Sequence, residues 1–230
     1  MAQKIINIDG IGEVLFVKRR GAKSIRLSIT ADNAIRASMP PWVPYQAAIS
    51  FVGTRKDWID THRQVKNIFR DGDLIGKSHR LKFIETDVDA IRTRVNSTEI
   101  RVTIGKNHDY QSKTVQDAVK KAAMRAIKQE GEALLPRRLR ELAIKYNFEF
   151  KSVELKRLKA RWGSCSHKKE ITLNIFLMQL PWHLIDYVLV HELVHTKVLH
   201  HGPDFWKEFS RCLPDAKSRR KELKGFSPYF

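Results

Sequence analysis

A mostly apolar run from Pro181 to His201, with His191, Glu192 and His195 inside it, limits the fold of this chain more than any other stretch. Leu184, Ile185, Val188, Leu189, Val190, Leu193, Val194, Val198 and Leu199 cover most of a helical circumference. Pro181 suits the first helical position and Gly202-Pro203 suits the stop, so the pattern predicts one helix over 181–201. A helix apolar nearly all round is buried by the rest of the fold. Two imidazoles and a carboxylate are costly in such a place unless they are partnered. Histidines four apart lie on one helical face, one turn above the other, where both reach a single metal ion. Glu192, beside the first, reaches a water on that ion, so the spacing predicts a metal site rather than a pair of satisfied core histidines.

At 230 residues the chain can bury a sizeable core in one or two domains. Its start, MAQKIINIDGIGEV, has neither the apolar core nor the cleavage site of a signal peptide. The stretch Leu180 to Leu199 is too interrupted, by His183, Asp186, His191, Glu192 and Lys197, to span a membrane. Two cysteines, Cys165 and Cys212, fit a reducing compartment better than a disulfide framework, and the expected location is cytoplasmic. Forty-three basic against 25 acidic residues give a net charge of +18, which favours nucleic acid or another polyanion as a partner. The basic residues are dispersed, so a generally basic solvated surface accounts for them equally well.

Along the chain, alternation predicts strands at Glu13 to Lys18, Ser24 to Thr30 and Ala34 to Ser38, joined by turns at Gly21 and Asp32-Asn33 into an antiparallel meander. Pro40-Pro41 and Pro44 end it. A helix is expected over Tyr45 to Val65, with Ala48, Ile49, Val52, Trp58 and Ile59 inward. Strands follow at Arg80 to Glu85, Ala90 to Val95 and Glu99 to Ile104. After Gly105-Lys106-Asn107, Thr114 to Tyr146 reads as a long helix, weak at Gly131 and open to a kink at Pro136. Phe148 to Lys159 and Ile171 to Leu177 read as strands around a turn at Arg161 to Ser166. From Phe205, the spacing of Trp206, Phe209, Cys212 and Leu213 predicts a helix packed on the core, and the terminus at Phe226, Tyr229 and Phe230 reads as held down. The fold class is α+β: a β-rich region with one helix over 1–105, then a metal-dependent hydrolase domain over 106–230 with a small antiparallel sheet.

Five blocks in order, Arg161-Trp162-Gly163-Ser164-Cys165, Ile171-Thr172-Leu173-Asn174, Ile185-Asp186-Tyr187-Val188, His191-Glu192-Leu193-Val194-His195 and His201 with Phe205-Trp206, resemble the YgjP-like metallopeptidase family. These are zincins, related in motif to the WLM and SprT-like metalloproteases. Lys23-Ser24-Ile25-Arg26-Leu27 and Lys56-Asp57-Trp58-Ile59 resemble the family's N-terminal part, so most of the chain is covered. The resemblance implies a zincin-like domain holding one Zn2+ ion, with His191 and His195 joined by His201 as third ligand. His200 and Asp204 remain open as alternatives to His201. Glu192 is then general base to a metal-activated water, and no ligand itself. Trp162 to Cys165 is expected near the metal, with Cys165 a buried packing group more than an accessory thiolate, and Tyr187 packing one turn before His191.

Three functions follow from these residues. The first is a zinc metallopeptidase acting on a peptide or protein, with the strand before the metal helix lying along the cleft and an extended substrate adding to a free edge. The second is a metal-dependent phosphoanhydride hydrolase, such as a nucleoside triphosphate pyrophosphatase, since the same water attacks phosphorus. No GxxxxGK[ST] loop is present, which excludes P-loop chemistry. The third is a non-catalytic zinc-containing module that binds nucleic acid, which leaves Glu192 without a task.

Overall fold

The computed structural model describes residues 2–30, 34–62 and 68–228. They form two compact units, Met1–Asn67 and Ile68–Phe230.

In the first unit, strands β1 (Gln3–Ile8), β2 (Gly12–Lys18), β3 (Arg26–Ile29) and β4 (Ile35–Met39) precede helices α1 (Tyr45–Gly53) and α2 (Lys56–His62). Val14, Phe16, Ile35, Ala37 and Met39 alternate into a core closed by Ala48, Val52 and Ile59. The sheet order is β1-β2-β4-β3, and β2 runs parallel to β4, so it is not the expected antiparallel meander. The turn at Gly21, where φ is +82°, does not fold β3 back onto β2; β3 pairs with β4, which lies between them. Local alternation identifies a strand but not its neighbour. The expected turn at Asp32-Asn33 lies outside the described residues. Strand β1 was not anticipated, because adjacent Ile5 and Ile6 blur the alternation, and Ile5 is exposed at this sheet edge.

The helix expected over 45–65 is two helices, and residues 63–65 lie outside the described residues. Thr54 makes the break: its backbone N–H donates to Ser50 O at 3.1 Å and its hydroxyl to Phe51 O at 2.8 Å. The break resets the helical phase. Ile59 is buried as expected, while Trp58, also expected inward, is 37% exposed.

In the second unit, β5 (Leu74–Ile75), β6 (His79–Thr86), β7 (Ile91–Val95) and β8 (Glu99–Gly105) form a sheet of order β5-β6-β8-β7. Here too the inner pair is parallel and both outer pairs antiparallel, so the two four-stranded sheets share one topology. Helix α3 (Lys113–Tyr146) follows, capped by Ser112, whose side chain accepts from Val115 N, and ended by Asn147 in the left-handed region. Gly131 serves packing: a Cβ there would stand 2.8 Å from Leu155 Cδ2. Leu155 belongs to the next sheet, made of β9 (Ser152–Lys156), β10 (Gly163–Cys165) and β11 (Glu170–Asn174) in the order β10-β11-β9. It was expected to be antiparallel but is mixed, since β9 and β11 run parallel. Part of the expected turn at 161–166 is strand β10, which takes the sheet edge, so β11, the strand before the metal helix, is paired on both sides and has no free edge for a substrate, contrary to expectation. A 3-10 turn, Ile175–Gln179, leads to α4 (Trp182–Val194), then α5 (Pro203–Cys212) and α6 (Ala216–Leu223). Leu184, Ile185, Val188, Leu189, Val190, Leu193 and Val194 of α4 are all buried in one core with Leu135 and Leu139 of α3. Phe209, Cys212 and Leu213 join that core, as the spacing predicted, Trp206 is only partly buried against it and Phe205 is buried in addition, while Tyr229 and Phe230 lie outside the described residues. Among the described residues no helix is long and apolar enough to cross a membrane.

Candidate metal centre

Helix α4 stops at Val194, with His195 as its C-cap, seven residues short of the expected end. A continuing helix would carry His201 roughly 9 Å along the axis from His195, out of reach of a shared ion. Instead the chain turns. Thr196 donates its hydroxyl to Leu193 O at 2.7 Å, and His195 Nδ1 lies 3.1 Å from Val198 O. The loop then returns, held where Trp206 Nε1 donates to His201 O at 3.2 Å. Phe205 lies against all three imidazoles, with ring centroids 4.6 to 4.9 Å apart.

The Nε2 atoms of His191, His195 and His201 consequently stand 2.9 to 3.2 Å from one another. His195 Nδ1 faces a carbonyl and therefore carries the proton, which leaves its Nε2 with a free lone pair. Burial above all, then the neighbouring charges of His195, His201 and Arg220, pushes His191 down to about 3, so its imidazole is neutral. Three ring nitrogens this close cannot all be satisfied by hydrogen bonds to one another. A tetrahedral ion with nitrogens about 2 Å away separates them by roughly 3.3 Å, so the three residues fit a zinc-sized cation. His200 and Asp204 are exposed and do not join this group among the described residues.

Glu192 is 5% exposed, and its Oε2 has no hydrogen-bond partner among the described residues. Burial pushes its carboxyl up to about 8, against the opposing charge of Arg161. It fits beside Gly163 of β10, where a Cβ would stand 2.7 Å from Oε1 and 2.9 Å from Cγ. The edge strand thus supplies a wall that the carboxylate can approach only because residue 163 has no side chain.

A family model described as "YgjP-like, metallopeptidase domain" matches residues 23–226. The chain belongs to this family. It is a metal-dependent hydrolase, and this YgjP-like domain takes in the triad, Glu192 and the β10 wall. The chain is also similar to the metallopeptidase zymogen of Pyrococcus abyssi abylysin, at 25% identity over 38% of this chain and 90% of that one, with a TM-score of 0.35. The zymogen of Methanocaldococcus jannaschii jannalysin gives 26% identity, the same coverage and a TM-score of 0.35. No curated protein matches.

Within this YgjP-like site, Tyr187 stacks on His191 with centroids 6.2 Å apart and 29° between the planes. Cys165 is half-buried; burial first, then Glu192, pushes its thiol up to about 11, so it is a neutral packing group. Sequence reasoning assigned no role to Asn174, which is fully buried. Its Nδ2 donates to Leu158 O and Arg161 O, both at 2.8 Å, and its backbone N–H donates to Trp162 O at 2.9 Å. Asn174 therefore fixes the loop that presents Arg161 and leads into Gly163. The available signal was an amide at the end of the apolar strand Ile171-Thr172-Leu173, a buried position that needs partners.

Proposed function

We propose that the protein is a zinc peptidase in which His191, His195 and His201 hold one Zn2+ ion and Glu192 is the general base. The reading rests on three neutralisable ring nitrogens converging within 3.2 Å beside a buried carboxylate that has a free oxygen. When bound, such an ion supplies Lewis acidity and a water whose pKa is about 7. Glu192 Oε2 would accept the proton of the attacking water and pass it to the leaving amine nitrogen. The buried Glu192 carboxyl would be held in its base form by a positive charge at the three ring nitrogens. Strand β10, at a sheet edge beside Glu192, offers backbone groups to an extended substrate, which would add as a further strand. The hydrolytic apparatus lies within the proposed domain 106–230. Free Cys165 and Cys212 support a reducing compartment such as the cytoplasm.

The test is Glu192→Gln, assayed for zinc content and for turnover of unfolded protein, short peptides and nucleoside triphosphates. Zinc should be retained and hydrolysis should fall by about two to four powers of ten. Turnover of nucleoside triphosphates alone by the wild-type protein would replace peptide chemistry with phosphoanhydride chemistry at the same site. Loss of zinc from the variant would refute the division of roles.

A further inference from the structure

His191 and Glu192 open onto a cavity of about 430 Å³ whose far walls come from the loop before β10 and from α6 with the residues after it. The apolar lining includes Trp162, Tyr187, Val188, Leu223 and Phe226. The charged lining is one-sided: Arg161, Arg220 and Lys224 are cations, and Glu192 is the one carboxylate among the described lining residues. None of the three cations forms an ion pair among the described residues. Elsewhere some exposed arginines are paired, as Arg137 is with Glu141 and Arg211 with Glu208, and others, such as Arg140 and Arg157, have no ion pair among the described residues, so what sets these three apart is that they line one cavity. Three cations without an ion-pair partner among the described residues therefore line the space that adjoins the reacting centre, and only Arg161 of the three acts on the Glu192 carboxyl.

This basic wall is built. Asn174 holds the Arg161 carbonyl at 2.8 Å and so fixes the loop that bears it. Helix α6 is fastened to the first turn of α4: Arg219 donates to His183 O at 2.9 Å, and His183 Nε2 lies 2.9 Å from Glu222. The Arg220 guanidinium lies over Trp206, 5.1 Å from the ring centroid, and Trp206 also holds the loop of His201. An arginine held by an aromatic ring has already lost part of its rotamer freedom, which makes an added carboxylate contact cheaper.

We propose that Arg161, Arg220 and Lys224 form a selectivity subsite that takes a carboxylate of the peptide substrate, so that the enzyme prefers acidic sequence, or a free C-terminus, next to the scissile bond. The inference rests on the peptidase reading. A neutral residue in the cavity leaves three cations partly desolvated and unpaired, a lysine or arginine there meets like charge, and an acidic group pairs with them. The apolar lining raises the strength of that pairing above its value in open water. Guanidinium groups also match carboxylate geometry, donating two parallel N–H bonds.

Four peptides of one sequence test this, carrying Glu or Gln beside the scissile bond and ending in a free carboxylate or an amide. Their binding is measured first by fluorescence anisotropy on the zinc-loaded Glu192→Gln protein, where no turnover intervenes. The favoured carboxylate should tighten binding about tenfold over its neutral twin, and the gap should shrink with added salt. Arg161→Gln with Arg220→Gln should remove most of the gap at unchanged zinc content, leaving what Lys224 supplies, and Arg161→Gln with Arg220→Lys should restore part of the loss. If the double variant does not fold, Arg161→Gln and Lys224→Gln singly should each lose part of the gap. A preference that follows Glu assigns the subsite to an acidic side chain; one that vanishes on amidation assigns it to the chain terminus. Equal binding of all four peptides overturns the proposal, as does a gap that survives in the variants. Equal cleavage with equal binding would leave the peptidase reading standing and this subsite refuted. A binding gap without any cleavage by the wild-type protein would refute the peptidase reading and, with it, selectivity for a scissile peptide, leaving only a carboxylate-binding cavity.

Discussion

Gly163 and Glu192 depend on each other more closely than any other pair in the site. The missing Cβ at 163 is what allows the Glu192 carboxylate to lie against β10, since an added atom would come within 2.7 Å of Oε1. We expect Gly163→Ala to fold and to keep its metal, because no proposed ligand moves, yet to lose about two powers of ten in turnover as the base is displaced. Zinc content measured beside kcat checks this, and full activity in the variant would show that Glu192 does not need that wall. His200 and His201 offer a second comparison at this scale. His201→Ala should lose zinc on dialysis while His200→Ala keeps it, because only His201 brings Nε2 within 3.1 Å of His195 Nε2. The opposite pattern would move the third ligand to His200.

Helix α3 is joined to the rest of its unit by a buried carboxylate as well as by apolar packing. Glu130, 5% exposed, accepts from Lys77 N at 2.6 Å, Ser78 N at 2.9 Å and Ser78 Oγ at 2.7 Å, and its Oε1 lies 2.6 Å from His79 Nδ1. Gly76, at φ +68°, starts this loop, and a Cβ there would overlap Glu130 Oε2. Lys77 Nζ in turn donates to Leu180 O, just before α4, so one loop ties α3 and the sheet to the entry of the metal-bearing helix. Burial pushes the Glu130 carboxyl up, but the hydrogen bonds from Lys77, Ser78 and His79 together outweigh it and hold the group below the usual carboxylate value. The folded state therefore holds this proton more weakly than the unfolded chain. The resulting stability is present above the unfolded value of about 4.3 and is lost as pH falls through the folded one. Glu130→Ala should cost about 3 to 5 kcal/mol near pH 7 by leaving the loop donors unpaired, and the deficit should narrow in acid. Urea unfolding of both proteins at neutral and acidic pH measures this. A deficit that does not change with pH would remove the ionised carboxylate from the account.

For the whole molecule, metal binding and stability should be linked, because the three histidines meet only when α4, the returning loop and α5 are all in place. An ion bound to the folded state alone adds about 2.7 kcal/mol at a free concentration 100 times its Kd. For a chain of this size that corresponds to a shift of roughly 5 to 10 °C in Tm. Chelation should lower the Tm by that order, and His201→Ala should melt at one temperature with or without chelator. Unchanged melting of the wild-type protein on chelation would mean that the centre forms without the ion.

What the sequence determined was local. Histidines four apart share a face on any helix, an apolar circumference requires burial, and the ordered blocks from Arg161 to Trp206 carried the family, because each depends on neighbours along the chain. The long helix α3 and most strands were legible for the same reason. The tertiary structure decided what depends on distant partners. It ended α4 at Val194 and returned His201 to the triad through Phe205 and Trp206. It made β10 an edge strand, set β2 beside β4 and β9 beside β11 in parallel, and placed Glu130 in the loop of Gly76 to His79. Periodicity fixes which face of an element is apolar, whereas strand direction, loop reversal and the partner of a buried charge are set by contacts between residues far apart in the chain.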